Sequence, residues 1–151
     1  MELVHEMTLH CVVGGDVLSP GPGPLGMRVV ASLSGGTVPG ERINGTLEGA
    51  GADWLLIGTD GYGRVDVRGQ IVTDDGAAVY VQYFGLLEMN KAVGRASVDP
   101  TGETGYADQY FRITPRFETG DQRYAWLNTS VFVAEGRVAT DGVEYEVFRV
   151  T

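Results

Sequence analysis

The chain has 151 residues, enough for one domain with a sizeable core. Its 23 glycines, its many Val, Thr and Tyr residues and its near lack of helix-periodic segments point to an all-β fold. A net charge of −9 sets the surface against phosphate backbones and anionic bilayers, so no nucleic-acid or membrane partner is expected. The single cysteine, Cys11, leaves no internal disulfide, and without a signal peptide or long apolar span the sequence reads as a cytoplasmic soluble protein.

In chain order, residues 2–13 alternate, with Leu3, His5, Met7, Leu9, Cys11 and Val13 on one face. Residues 14–26 carry Gly14-Gly15 and the run Ser19-Pro-Gly-Pro-Gly-Pro24, which predicts a loop. A second strand covers 27–34, with Arg28 opposite Met27, Val29, Ala31 and Leu33, and Gly35-Gly36 with Pro39-Gly40 predicts the next turn. Ile43, Gly45 and Leu47 share a strand face; Gly49-Ala50-Gly51 interrupts it, and 53–57 continues as a further strand. Asp60-Gly61 and Asp74-Asp75-Gly76 are hairpin signals flanking the strand Arg64–Arg68 and leading into 77–84. Residues 86–105 lack alternation and read as a long loop with one short helical turn, a candidate lid. Two strand-like segments follow within 110–128, with Tyr124, Trp126 and Asn128 alternating on the second. The last strand carries Val143, Tyr145 and Val147 on one face. About nine or ten antiparallel strands joined by short turns favour a single-domain, closed or nearly closed β-barrel over 1–151 with an internal cavity; a sandwich is the alternative.

The ordered blocks Gly35-Gly36, Gly51-Ala-Asp-Trp54, Asp60-Gly61, Arg68, Asp74-Asp-Gly-Ala77, Tyr110-Phe-Arg112, Arg116-Phe-Glu-Thr-Gly120 and Trp126-Leu-Asn128 make the chain resemble domain-of-unknown-function family 3237, also called uncharacterised protein family 0311. The resemblance spans about residues 3–150 and implies a single β-barrel, often a homodimer, mostly bacterial or fungal, with no established general reaction. Gly69 departs from the pattern, which usually has Tyr or Phe beside the arginine at 68.

A small barrel either fills its interior or holds one ligand. Tyr124, Trp126 and Asn128 facing inward would give the cavity a phenol, an indole and an amide to position a small molecule. Facing outward, with Leu127, Val131 and Val133 as the core face, they would form a subunit interface instead. Asp53 and Trp54 must point to opposite faces. An inward Asp53 or Glu118 would be a carboxyl with a raised pKa, suited to proton transfer unless an arginine pairs with it. Arg28, Arg68, Arg112 and Arg116 are available for such pairing, and Arg28, Arg68 and Arg112 also for binding a carbonyl or anion. Trp54, Tyr83 and Tyr110 complete the candidate ligand contacts.

No cofactor or metal is expected. His5 and His10 fall on opposite strand faces with no Cys or His cluster, Asp74-Asp75-Gly76 lacks the remaining ligands of a calcium loop, and no glycine run matches a phosphate or dinucleotide loop. The favoured reading is therefore a cofactor-free barrel enzyme: an isomerase, cyclase, or lyase or hydratase acting by acid–base chemistry on a partly apolar carbonyl or aromatic compound. The alternatives are a non-catalytic small-molecule binder and a structural or dimerisation domain.

Overall fold

Period-two alternation builds most of the sheet. In β6 (Tyr62–Thr73) Val65, Val67, Ile71 and Thr73 are buried while Arg64, Arg68 and Gln70 are exposed; in β8 (Phe111–Glu118) Phe111, Ile113, Pro115 and Phe117 are buried between exposed Arg112, Thr114, Arg116 and Glu118. The computed structural model describes residues 1–151. Its other strands are β1 (Leu3–Val13), β2 (Leu18–Gly23), β3 (Gly26–Val38), β4 (Gly45–Leu47), β5 (Ala52–Ile57), β7 (Ala78–Glu88), β9 (Val131–Ala139) and β10 (Gly142–Val150). All pairings are antiparallel, and β1 joins both β10 and β3, so the sheet closes.

The result is a closed eight-stranded barrel with two extra strands. β4 and β5 lie end to end between β3 and β6, separated at Gly49-Ala50-Gly51, and β2 pairs only with the first half of β3. The interior is one continuous cluster that includes Met7, Leu9, Val67, Ile71, Tyr83, Phe111, Phe132 and Tyr145.

Several local expectations change. Gly35-Gly36 is not a turn: β3 runs through it to Val38, and Gly36, at φ +148°, passes so close to β1 that a Cβ would lie 2.0 Å from the His10 carbonyl oxygen. The Gly/Pro-rich segment contains β2, whose prolines are tolerated because its other edge is free. A bulge between His5 and Met7 turns Glu6 inward and His5 outward, so His5 and His10 share the outer face, beside Glu146 and Glu144 respectively.

Segment 86–105 is more ordered than a loop. β7 extends to Glu88, and Asn90 then caps helix α1 (Lys91–Val98), its side chain accepting from the Val93 N–H at 3.1 Å. Val93 and Ala96 are buried, so α1 covers one end of the barrel. No helix is long and apolar enough to cross a membrane.

The second of the two strand-like segments expected within 110–128 is instead a 3-10 helix, Gln122–Thr129. Local polar bonds outweigh the alternation: the Asp121 carboxylate accepts from the Arg123 N–H, and Asn128 exchanges hydrogen bonds of 2.9 Å with the Thr119 backbone N–H and carbonyl. Tyr124, Trp126 and Asn128 therefore share no strand face.

Candidate active site

The site starts from an interruption in the β5–β6 ladder. Pairing runs through Ala52 with Arg68 and Asp53 with Val67, then resumes only at Leu56 with Arg64. In the gap the Asp66 N–H donates to Asp53 Oδ1 at 3.1 Å, and Arg28 Nη1 donates to the Trp54 carbonyl at 2.7 Å. Side chains thus satisfy backbone groups that a regular ladder would pair with each other. Asp53 is thereby held by its own β6 neighbour with its carboxyl turned to the barrel interior.

That interior holds a cavity of about 450 Å³ beneath α1, within the range of small-molecule sites. Its wall is mostly apolar, with Val29, Leu55, Val65, Val93, Phe111 and Val138 among the contributors, and no lysine, arginine or histidine lines it. Two carboxyl groups reach it. Asp99 sits at the rim, where Oδ1 accepts from the Thr101 N–H and hydroxyl at 2.9 Å. Asp53 is the inner one. Burial pushes its pKa up to about 6; the Asp66 N–H and more distant Arg28 pull it down, and the Asp66 carboxylate adds to the rise. Asp66 Oδ1 is itself buried without a hydrogen-bond partner.

Tyr145 also lines the cavity, and its ring packs edge-on to both Tyr83, at 5.2 Å, and Phe111, at 5.1 Å. Tyr83 Oη lies 3.6 Å from Cys11 Sγ. Burial holds the Cys11 thiol up at about 12 and both phenols well above their ordinary range, so all three are neutral donors across the working pH range.

The remaining candidates scatter. Tyr83 is in the core, as a partner of Tyr145 rather than a wall of the cavity. Trp54 is 39% exposed on the outer surface, where Arg68 sits 5.9 Å from its ring centroid. Glu118 is exposed and pairs with Arg116 at 3.0 Å, so it does not reach the cavity; alternation along β8 sends Phe117 inward instead. Tyr124 bonds both Asp75 carboxylate oxygens, at 2.8 and 2.9 Å, beside the β6–β7 turn, and Trp126 carries the Arg42 guanidinium at 3.6 Å. Both lie with Asn128 on the 3-10 helix, none of the three lines the cavity, and what looked like a pocket wall is a structural brace.

Tyr110 and Arg112 line a second concavity of about 850 Å³, an open groove on the outer face that also involves Leu3, Phe84, Val133 and Phe148. It is larger than the interior cavity, but its Arg112 is already paired with Glu135 at 3.5 Å. The interior cavity is the stronger site because only there does an ionisable group with a displaced pKa meet a mostly apolar concavity. No cluster of three or more His, Cys, Asp or Glu side chains is arranged to hold a metal. Asp66 and Tyr145 were the residues that pattern reading passed over. Tyr145 shares its strand face with Val143 and Val147, and its hydroxyl in that otherwise apolar row is the one sequence signal that points to it.

Residues 1–150 match the model of the family described as protein of unknown function (DUF3237), and the chain belongs to that family. The UPF0311 protein RPA1785 of Rhodopseudomonas palustris is 36% identical over 141 residues, covering 90% of this chain and 88% of the relative. The crystal structure of RPA1785, a conserved protein of unknown function, superposes with a TM-score of 0.89 at 32% identity over 99% of this chain and 97% of that one. A β-barrel-like protein from Acinetobacter baumannii follows at TM-score 0.85 and 27% identity, covering 99% and 96%. A protein from Penicillium herquei described as an enzyme shares the fold at TM-score 0.72 and 18% identity, covering 99% and 94%.

Proposed function

We propose that this DUF3237 barrel is a cofactor-independent enzyme that binds an uncharged, largely apolar carbonyl compound in the interior cavity and uses Asp53 to move a proton. The observation that carries the proposal is the Asp53 carboxyl, positioned in an apolar enclosure by the Asp66 N–H, with a pKa of about 6. A carboxyl poised there is ionised enough near neutrality to accept a proton and acidic enough to return it. Absence of cations from the wall disfavours carboxylates and phosphates as ligands. The chemistry that such a site suits is isomerisation, cyclisation, or addition and elimination of a small group, with the walls folding the substrate into a reactive shape. The Penicillium herquei enzyme supports catalysis on this fold by analogy alone.

A thermal-shift screen of neutral aromatic and alicyclic ketones tests this, followed by α-proton exchange of the hits in D₂O by NMR. Exchange is expected to rise with pH as Asp53 ionises through about 6 and then level off, and Asp53→Asn should retain binding but lose exchange. Unchanged exchange in Asp53→Asn would reject Asp53 as the base. Bound ketones that never exchange would identify a carrier, and binding abolished by Phe84→Ala but indifferent to cavity variants would move the site to the outer groove.

A further inference from the structure

The proposed proton transfer leaves half of the chemistry without a residue. Taking a proton from the carbon beside a carbonyl sends an electron pair onto the carbonyl oxygen, and the apolar wall of the cavity offers that oxygen no cation. Among the side chains that line the cavity, Tyr145 carries a neutral hydroxyl and is only 1% exposed to bulk solvent. It is held from behind. Gly136 lies directly beneath its ring, where a Cβ would come within 2.8 Å of Tyr145 and Phe111, and Tyr83 and Phe111 brace its edges. The Tyr145 and Tyr83 rings meet edge-on at 5.2 Å, and the Tyr83 hydroxyl in turn lies 3.6 Å from the Cys11 thiol.

We propose that Tyr145 is a second catalytic residue, whose O–H donates to the substrate carbonyl oxygen opposite Asp53, and that Tyr83 and Cys11 behind it are positioning residues. This rests on the reading of Asp53 as the base. In the step itself Asp53 takes the α-proton, the C–H electron pair becomes the carbon–carbon double bond, and the carbonyl π pair moves onto the oxygen. Tyr145 keeps its proton and stabilises the resulting enolate by a hydrogen bond, and Asp53 then returns a proton to carbon. With Cys11 S–H donating to Tyr83 and the Tyr83 O–H turned toward Tyr145, the Tyr145 hydroxyl proton would be free to point into the cavity. Such a chain polarises each member towards the ligand. The elevated pKa of the phenol suits this role, since a tyrosine that ionised would repel the enolate. The ligand class follows: a neutral ketone or enone whose α-carbon and oxygen are presented to opposite walls.

The test uses 1-tetralone, a neutral bicyclic aromatic ketone with exchangeable α-protons, on the full chain. Three variants are compared with the native protein: Tyr145→Phe, Tyr83→Phe and Asp53→Asn. Binding is followed by NMR titration, the carbonyl stretch of the bound, ¹³C-labelled ketone by difference infrared, and exchange in D₂O by NMR. The native protein should shift the stretch to lower frequency. Tyr145→Phe should abolish that shift, slow exchange by about a hundredfold and change affinity by less than about tenfold. Tyr83→Phe should weaken the shift without removing it, which a purely packing role would not do. Asp53→Asn should keep the shift and lose exchange. A shift unchanged in Tyr145→Phe, with exchange still dependent on Asp53, would overturn the role of Tyr145 and leave the base in place. A shift lost in Tyr145→Phe while Asp53→Asn still exchanges would reject the base instead. Failure of 1-tetralone to bind at millimolar concentration would overturn the ligand class and both roles with it. A melting temperature for Tyr145→Phe within a few degrees of native separates these outcomes from unfolding.

Discussion

Asp53→Asn is expected to stabilise the protein above pH 7 by about 1–3 kcal/mol while removing the proposed α-proton exchange. The reason is linkage. The folded-state pKa of Asp53 is raised from 3.8 to about 6, so between those values the native state holds more protons than the unfolded chain and stability falls as pH rises. The cost is absent below about pH 4, grows between about 4 and 6, and is complete above, amounting to about 3 kcal/mol for a shift of this size. Asn keeps the oxygen that accepts from the Asp66 N–H, cannot ionise and relieves repulsion with the Asp66 carboxylate. Urea unfolding of the native and variant proteins at pH 4 and pH 8 checks this. A difference that opens with pH is expected, and equal stabilities at pH 8 would contradict it. Stability given up at one residue is what the proposed role of this carboxyl in apolar surroundings entails.

Glu6→Gln should have the opposite sign and comparable size, a loss of about 2–4 kcal/mol at pH 7. The β1 bulge turns Glu6 inward to 4% exposure, where Arg42 donates to both of its oxygens, at 2.6 and 3.0 Å, and Arg149 donates to Oε1 at 2.7 Å. Burial alone would raise this carboxyl, but the two guanidinium groups together hold it below its usual value. A depressed folded pKa contributes stability that is present above the unfolded value of 4.5 and lost as pH falls through the folded one. The gap between native and Glu6→Gln should therefore close on acidification, whereas that for Asp53→Asn closes for the reverse reason. Arg42 also covers Trp126, so the variant should red-shift tryptophan emission as the guanidinium leaves the ring. Urea unfolding and fluorescence read both effects, and a loss under about 0.5 kcal/mol would show that Glu6 does not tie β1 to β10 and the 38–45 segment.

The barrel was legible because it depends on signals that survive without long-range information. Alternation in β6, β7 and β8 and the turns at Asp60-Gly61 and Asp74-Asp75-Gly76 are each set within a few residues. Misreadings arose where one contact outweighed a local pattern. Tyr124, Trp126 and Asn128 alternate perfectly, yet the Asp121 cap and the Asn128–Thr119 bonds close a 3-10 helix, and Asp75 and Arg42, far away in sequence, hold Tyr124 and Trp126 in place on it. Gly35-Gly36 has the composition of a turn but serves close approach of β3 to β1. Asp53 could be singled out from its apolar neighbours, because Trp54 had to take the other face. The direction could not: it depends on Asp66 and Arg28 meeting at the interrupted ladder from separate strands. Glu118 offers the same carboxyl chemistry, but the alternation of β8 places it on the outer face, where it pairs with Arg116.

Direct titration of the Asp53 side chain by ¹³C NMR tests the central claim most simply. With ¹³C-labelled aspartate and Asp53→Asn to assign the resonance, the carboxyl carbon should titrate near pH 6 in the native protein. A midpoint at or below pH 4 would show a solvated or firmly paired carboxylate, and the account of an enclosed, proton-transferring Asp53 would fail.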